Sequence, residues 1–280
     1  MKRVLVTGAN SGIGLALVKQ LAVEDGYMVY LGARTLEKAL LAVQSILSTT
    51  ASSSSSILNI EAIELDPGND LSVLAAASSL KSKGITLYGL INNAGTGLKH
   101  GSNGVEMLNV NALGPKRVFE AFLPLLDPSI GRVVNVGSGS GPSYVKLQNA
   151  EVQKLLCNLP TWEALEAHME LKKGDPIFMK EFNPGPYGLS KAILAAYTML
   201  LAKEHPNLTF SCVSPGFIST RLTEGYGATK TPEEGTISIR HCLNKPLDGN
   251  GWYYGSDAIR SPYHFTRDPG TEAYDGVPPY

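Results

Sequence analysis

Apolar positions along the chain fall into two alternating patterns, short continuous runs that break at glycine and longer stretches with helical spacing. The first run, Val4-Leu5-Val6-Thr7, suits a strand buried on both faces, and it stops at Gly8-Ala9-Asn10-Ser11-Gly12-Ile13-Gly14. A helical pattern follows over 15–23. The same order then recurs: strand 28–31 with helix 36–47, strand 57–65 with helix 71–81, and strand 87–91 with a long helical stretch 107–126 interrupted at Gly114-Pro115. A fifth strand covers 131–138, a helix 187–204 and a sixth strand 208–213. Strand-then-helix alternation of this kind predicts an α/β fold, a mostly parallel sheet wound with helices on both faces. A further helix is expected to begin near Pro232-Glu233-Glu234, and residues 251–254 read as a seventh strand.

Three stretches leave the alternation. The tract 48–56 is nearly all serine and threonine, cannot build a core and reads as a mobile loop. Residues 139–186 read as an insertion carrying two short amphipathic helices, 151–156 and 162–171, the second capped by Thr161. His168 in this insertion is expected on a solvated face. From Ser261 onward Pro, Gly and aromatic residues dominate, and this tail is expected to pack irregularly or partly flap. No internal repeat or second domain is required, so the 280 residues are read as one domain.

Charge and cysteines narrow the partners. With 24 Lys and Arg against 25 Asp and Glu, the net charge of -1 gives no reason to expect nucleic acid or an acidic membrane. Cys157, Cys212 and Cys242 are far apart and lack CxxC or Cys/His spacing, which suggests neither a disulfide framework nor a zinc site, and fits a reduced cytoplasmic compartment. Met1-Lys2-Arg3 runs straight into the first strand, too short a lead for a signal peptide or a membrane span.

Candidate chemistry gathers where strands end. The glycine turn after residue 7 puts backbone N–H groups and a helix N-terminus where a pyrophosphate can sit; a merely tight strand-to-helix turn is the plainer alternative. After the second strand, where an acid would bind the two ribose hydroxyls of NAD, stands Arg34, suited to a 2′-phosphate or else a solvated arginine at a helix start. Asp66 suits an adenine amino group or a cap on the Pro67-Gly68 turn equally. Asn92-Asn93-Ala94-Gly95 closes the fourth strand, and carboxyl ends of strands are where open α/β sheets bind ligands. Asn111 is a poor helix former, either a local bend beside Pro115 or a polar group turned inward. Ser138 presents a hydroxyl at the end of the fifth strand, and Pro215-Gly216 opens a loop after the sixth. Tyr187 and Lys191 share one helix face at i and i+4, which places an ammonium roughly 6 Å from a phenol and is expected to lower its pKa from about 10, as a general acid needs. A core tyrosine followed by a surface lysine is the bland reading of that spacing alone.

Taken in order, Thr7-Gly8-x3-Gly12-Ile13-Gly14, Asn92-Asn93-Ala94-Gly95, Asn111, Ser138, Tyr187-x3-Lys191 and Pro215-Gly216 resemble the short-chain dehydrogenase/reductase family over residues 1 to about 260. The long interval between Ser138 and Tyr187, together with Arg34, looks like its monomeric NADPH-dependent carbonyl reductase branch. The resemblance implies a doubly wound Rossmann fold with a central, mostly parallel seven-stranded sheet. It also implies NADPH (NADP+) as cofactor and reduction of an aldehyde, ketone or quinone. Tyr187 would then give a proton to the substrate oxygen while NADPH gives hydride to the carbonyl carbon. Ser138 would hold that oxygen, Lys191 would bind the nicotinamide ribose, and Asn111 would hold a water linking Lys191 to bulk. The dinucleotide would lie against Gly8, Asn10, Ser11, Gly12, Ile13, Gly14, Arg34, Asp66, Asn93, Ala94, Gly95, Tyr187, Lys191, Pro215, Gly216, Ile218 and Thr220. The partner implied is a small-molecule carbonyl substrate, and the oligomeric state a monomer. Two rivals remain: an oxidative alcohol or steroid dehydrogenase of the same family, and an NADP(H)-sensing binding protein without turnover.

Overall fold

The short apolar runs become strands of one sheet because neighbouring strands and helices cover both of their faces. The computed structural model describes residues 1–50, 59–97, 102–181 and 184–276, apart from the Thr50 side chain. In chain order these give β1 (Arg3–Val6), α1 (Gly12–Val23), β2 (Met28–Ala33), α2 (Leu36–Thr50), β3 (Ile60–Glu64), α3 (Asp70–Ser82) and β4 (Gly89–Asn92). Then come α4 (Gly104–Leu108), a π-helical turn (Asn109–Leu113), α5 (Gly114–Phe122), β5 (Arg132–Val136), α6 (Ser140–Lys146), α7 (Ala150–Cys157) and α8 (Trp162–Lys173). The chain continues as α9 (Gly185–Glu204), β6 (Thr209–Val213), α10 (Ile237–Asn244), β7 (Trp252–Tyr254) and β8 (Arg260–Ser261).

The strands lie in the order β3-β2-β1-β4-β5-β6-β7-β8, all parallel except the β7–β8 pair. Winding reverses between β1 and β4, so a crevice opens at their carboxyl ends. Successive β1 residues feed opposite cores. Val4 and Val6 belong to a cluster with Leu17, Val18 and Ile239, whereas Leu5 joins Leu108, Phe119 and Ala192 on the other face.

The sheet has eight strands rather than seven, since Arg260–Ser261 pairs antiparallel with β7; a two-residue strand has no alternation to read. The expected third and fourth strands are trimmed to Ile60–Glu64 and Gly89–Asn92. Helix α2 runs on to Thr50, with the Ser48 and Thr49 hydroxyls donating to Ser45 O at 3.0 and 3.1 Å. The rest of the serine-rich tract, His100 and Asn183 lie outside the described residues. The stretch expected over 107–126 is divided by the π turn, where Gly114 N–H donates to Asn109 O, five residues back. Pro115 explains the widening, because its ring would collide with the carbonyl of Asn111 four residues earlier in a regular helix. The helix expected near Pro232 begins as a 3-10 turn at Glu234–Thr236 and continues as α10.

Among the described residues the insertion holds three α-helices rather than two, followed by a 3-10 turn at Phe178–Lys180. Helix α6 was hidden by Gly139-Ser140-Gly141-Pro142, a loop-like string; Pro142 falls in its first turn, where no intrahelical N–H is needed. Thr161 does cap α8, its hydroxyl accepting from Ala164 N at 3.3 Å. His168 is not solvated but 7% exposed, with Nε2 3.1 Å from the Tyr144 hydroxyl. It shares the buried face of α8 with Leu165 and Met169, and burial, then the nearby Lys172, pushes its pKa down. Trp162 packs edge-on against Tyr197 of α9 with ring centres 5.3 Å apart. The tail is irregular, as expected, but held against the sheet through Gly276 rather than flapping. Among the described residues no helix is long and apolar enough to cross a membrane, and no His/Cys/Asp/Glu group could hold a metal. All three cysteines are buried and free.

Candidate active site

The turn after β1 is built for close approach. Gly8 has φ +61°, and a Cβ there would stand 2.7 Å from Ala94 Cα; a Cβ on Gly14 would stand 2.5 Å from Asn93 Nδ2 and 2.6 Å from Gly8 O. Asn93 laces the two strand ends together, donating from Nδ2 to Thr7 O (2.9 Å) and Gly8 O (3.1 Å). The Thr7 hydroxyl oxygen accepts from Asn93 N (3.1 Å) and Ala94 N (3.0 Å), a role that only its place before the first glycine could have signalled. At the N-terminus of α1, Ser11 makes no side-chain cap bond and the first turn carries no acid. Its N–H groups are therefore available to an anion, and a turn packed so closely that only glycine fits lets the backbone approach the pyrophosphate of a dinucleotide.

A cleft of about 820 Å³ opens above this turn. Gly8, residues 10–14, Arg34, Asp66, residues 93–95, Tyr187, Lys191, Pro215 and Thr220 all line it. Asn111, Ser138, Gly216 and Ile218 do not. Arg34 is exposed and makes no ion pair among the described residues, and Lys38, in the first turn of α2, borders the same space. That second cation has no spacing to Arg34 that a helix pattern could have signalled, because Arg34 precedes the helix. Asp66 serves its turn: Oδ1 accepts from Gly68 N at 2.9 Å while its own N–H donates to Ser72 Oγ at 2.9 Å.

Helix α9 begins at Gly185 (φ +39°) with Pro186 in its first turn, and presents Tyr187 and Lys191 on one face. Lys191 is 4% exposed, donates from Nζ to Val136 O at 2.8 Å and lies 5.8 Å from the centre of the Tyr187 ring. Burial pushes its pKa down to about 8, against a weaker upward pull from Cys212. Burial pushes the Tyr187 phenol up, and a hydrogen bond with the Ser138 side chain opposes this in part. The expectation that Lys191 lowers the phenol's pKa is thereby corrected: desolvation dominates, the ammonium is engaged by a β5 carbonyl, and the opposing pull comes from Ser138. At neutral pH the phenol keeps its proton, the form that can donate.

Asn111 combines both sequence readings, sitting in the π turn and turned inward with no exposed surface. Its Oδ1 accepts from Thr96 N (2.8 Å), and its Nδ2 donates to Thr96 O (2.9 Å) and Ser190 Oγ (3.2 Å). Since Ser190 Oγ donates to Tyr187 O at 2.7 Å, Asn111 ties the loop after β4 to the turn between Tyr187 and Lys191. A Cβ on Gly95 would lie 3.5 Å from Asn111 Oδ1 and 3.7 Å from Lys191 Nζ, so the two polar groups face one small space. On the opposite side Leu222 Cδ1 comes within 2.6 Å of where a Gly97 Cβ would stand, a point 3.9 Å from Tyr187 Cδ2. Leu222 therefore leans toward the Tyr187 ring as an apolar wall, and nothing in the patternless loop 217–230 announced it.

Residues 2–150 match the family model for short chain dehydrogenases, a match that stops ahead of Tyr187. A (+)-neomenthol dehydrogenase of Arabidopsis thaliana is 31% identical over 275 residues, covering 85% of this chain and 90% of that protein. A carbonyl reductase of Mus musculus whose name specifies NADPH is 31% identical over 267 residues, covering 88% and 92%. The structure of salutaridine reductase from Papaver somniferum superposes with a TM-score of 0.76 at 26% identity, covering 91% of this chain and 99% of that one.

Proposed function

The chain belongs to the short-chain dehydrogenase family, and from that premise we propose that it reduces the carbonyl group of an aldehyde, ketone or quinone to an alcohol at the expense of NADPH. The observation that carries this reading is the convergence of Tyr187 and Lys191 with the 8–14 turn in one cleft, where the neighbouring Ser138 side chain pulls the Tyr187 phenol's pKa down against burial.

Bound NADPH supplies the hydride. The chain's own residues do the rest. The α1 N-terminus and glycine turn hold the pyrophosphate, while Arg34 and Lys38 pair with a 2′-phosphate. Lys191 donates to the ribose hydroxyls beside the nicotinamide. Ser138 donates to the substrate oxygen and stabilises the charge that develops there. Tyr187 delivers its proton to that oxygen, and Asn111, across Gly95 from Lys191, holds the water through which protons return. The insertion packs over α9 through Trp162 and Tyr197, which supports a monomer. Three buried, unpaired thiols are consistent with a cytoplasmic protein acting on a small molecule.

Initial rates with a panel of aldehydes, ketones and quinones, using NADPH and NADH, test the proposal. NADPH is expected to be preferred, and Arg34→Ala is expected to raise KM for NADPH roughly 10- to 100-fold with little effect on NADH, as loss of a charge-assisted phosphate contact implies. Equal use of NADH by the wild type would count against the role of Arg34. A relative named as a dehydrogenase keeps the oxidative reading in play, and alcohol oxidation outrunning reduction at neutral pH would favour it. NADPH binding without turnover across the panel would favour a sensing protein.

A further inference from the structure

The tail that follows β8 leaves the sheet and returns to it. Tyr274 N–H donates to Arg260 O (3.0 Å), Arg260 Nε donates to Tyr274 O (2.6 Å), and the Arg260 guanidinium lies 4.4 Å from the centre of a Trp252 ring. With its ends held together, the segment is a compact loop of the Ω type. At its start Tyr263 is buried and donates its hydroxyl proton to Gly251 O. At its centre Arg267, with a side chain only 6% exposed, pairs with Asp257 and donates to Ser261 Oγ (2.9 Å), Asp268 O (3.0 Å) and Thr271 O (2.9 Å). Asp257 Oδ2 also accepts from Gly270 N at 2.8 Å. Burial pushes the Asp257 carboxyl up, but Arg267 and the N–H groups of Gly270 and Ile259 outweigh it and hold the group below its ordinary range. An ion pair with so many added bonds acts as a crosslink in one geometry.

The crosslink bears on the neighbouring residue. Thr266 Oγ1 lies 3.4 Å from Gly139 O and 3.2 Å from Ser143 Oγ, and Ser143 Oγ itself donates to Gly139 O at 2.9 Å. Two hydroxyls thus converge on the carbonyl of the residue that directly follows Ser138. Ser138 in turn accepts from Ser140 N at Oγ (3.2 Å) and from Gly141 N at its carbonyl (2.9 Å), so its placement depends on how this bend is held.

We propose that the tail is a positioning strap for Ser138: the Asp257–Arg267 crosslink presses Thr266 onto Gly139 and Ser143, and so keeps the Ser138 hydroxyl against the Tyr187 phenol. Arg267 and Thr266 are then positioning residues for the carbonyl half of the reaction. Neither borders the dinucleotide cleft, so the strap acts on the substrate oxygen and not on cofactor binding. The catalytic consequence rests on the carbonyl-reductase reading; the mechanical one does not.

The test compares Arg267→Ala, Thr266→Val and Thr266→Ser with wild type in the full chain, by hydrogen exchange, NADPH titration and steady-state kinetics. Arg267→Ala should speed exchange of the Ser140, Gly141 and Ser143 amides about tenfold and leave NADPH affinity unchanged. It should also lower kcat for the best carbonyl of the panel about tenfold, as expected for a displaced oxygen-holding group. Thr266→Val, which leaves the crosslink in place and guards against a folding defect, should cost about threefold, one ordinary hydrogen bond, and Thr266→Ser should restore the wild-type rate. Unchanged exchange at 140–143 in Arg267→Ala overturns the strap whatever the kinetics. So does a fall in kcat matched by an equal loss of NADPH affinity, or a Thr266→Ser as slow as Thr266→Val. Faster exchange in a protein whose wild type turns over no carbonyl supports the strap and sinks the carbonyl reading instead.

Discussion

Replacing Tyr187 by Phe is expected to cut carbonyl turnover by roughly 10²- to 10⁴-fold, the contribution of one positioned proton donor, while NADPH binding stays close to wild type. The substitution removes a single hydroxyl. The ring that faces Lys191 and Gly97 is kept, so packing on the helix face changes little. What is lost is the hydroxyl and its proton, held on the phenol by burial. The other residues proposed to hold the cofactor, in the 8–14 turn, Arg34 and Lys191, are untouched by the substitution. Steady-state rates together with a fluorescence titration of NADPH separate the two effects; retained turnover with intact binding would remove Tyr187 from the reaction.

Lys191→Met should abolish turnover by at least about 10²-fold and yet make the cofactor-free protein more stable at neutral pH. The sign follows from the shift. Folding moves the lysine from 10.5 to about 8 by burial, so between those values the unfolded chain binds more protons and wild-type stability climbs as pH rises. Below pH 8 the whole penalty applies, on the order of 3 kcal/mol. Methionine fills a similar stem without charge, although leaving Val136 O without its donor offsets part of the gain, about 1–3 kcal/mol. Denaturant unfolding at pH 7 should favour the variant, and the advantage should shrink toward pH 10. A variant less stable than wild type at pH 7, or a difference independent of pH, would contradict this account.

Much of the fold was legible because it is written in local patterns. Short, mostly apolar runs stopping at Gly8, at Asn92-Asn93 and at Gly137-Ser138 marked β1, β4 and β5, and i, i+4 spacing placed Tyr187 beside Lys191 before any contact was known. The missing acid after β2 drew attention to Arg34 in the same way. Features that depend on distant partners left no such trace. His168 was misread because its partner, Tyr144, lies 24 residues away on a helix masked by Gly141 and Pro142. Thr7 works through the amides of Asn93 and Ala94, and Leu222 through Gly97, none of them sequence neighbours. The pKa expectation failed for a related reason: spacing reports that an ammonium is near a phenol, not that the phenol is desolvated and the buried ammonium is bound to Val136 O. The tail gave no pattern because Arg267 meets Asp257, and Thr266 meets Gly139, only once the sheet is assembled.

The central claim, hydride transfer to a carbonyl carbon at the Tyr187 site, is tested most directly by following the hydrogen. The protein is incubated with a carbonyl substrate and NADPH carrying deuterium at one or the other C4 position, and the alcohol is analysed by mass spectrometry. One of the two labelled cofactors should place a single deuterium on the carbinol carbon, the other none, and Tyr187→Phe should reduce the amount of labelled alcohol with the rate. Alcohol formed without deuterium from either labelled cofactor would contradict the account.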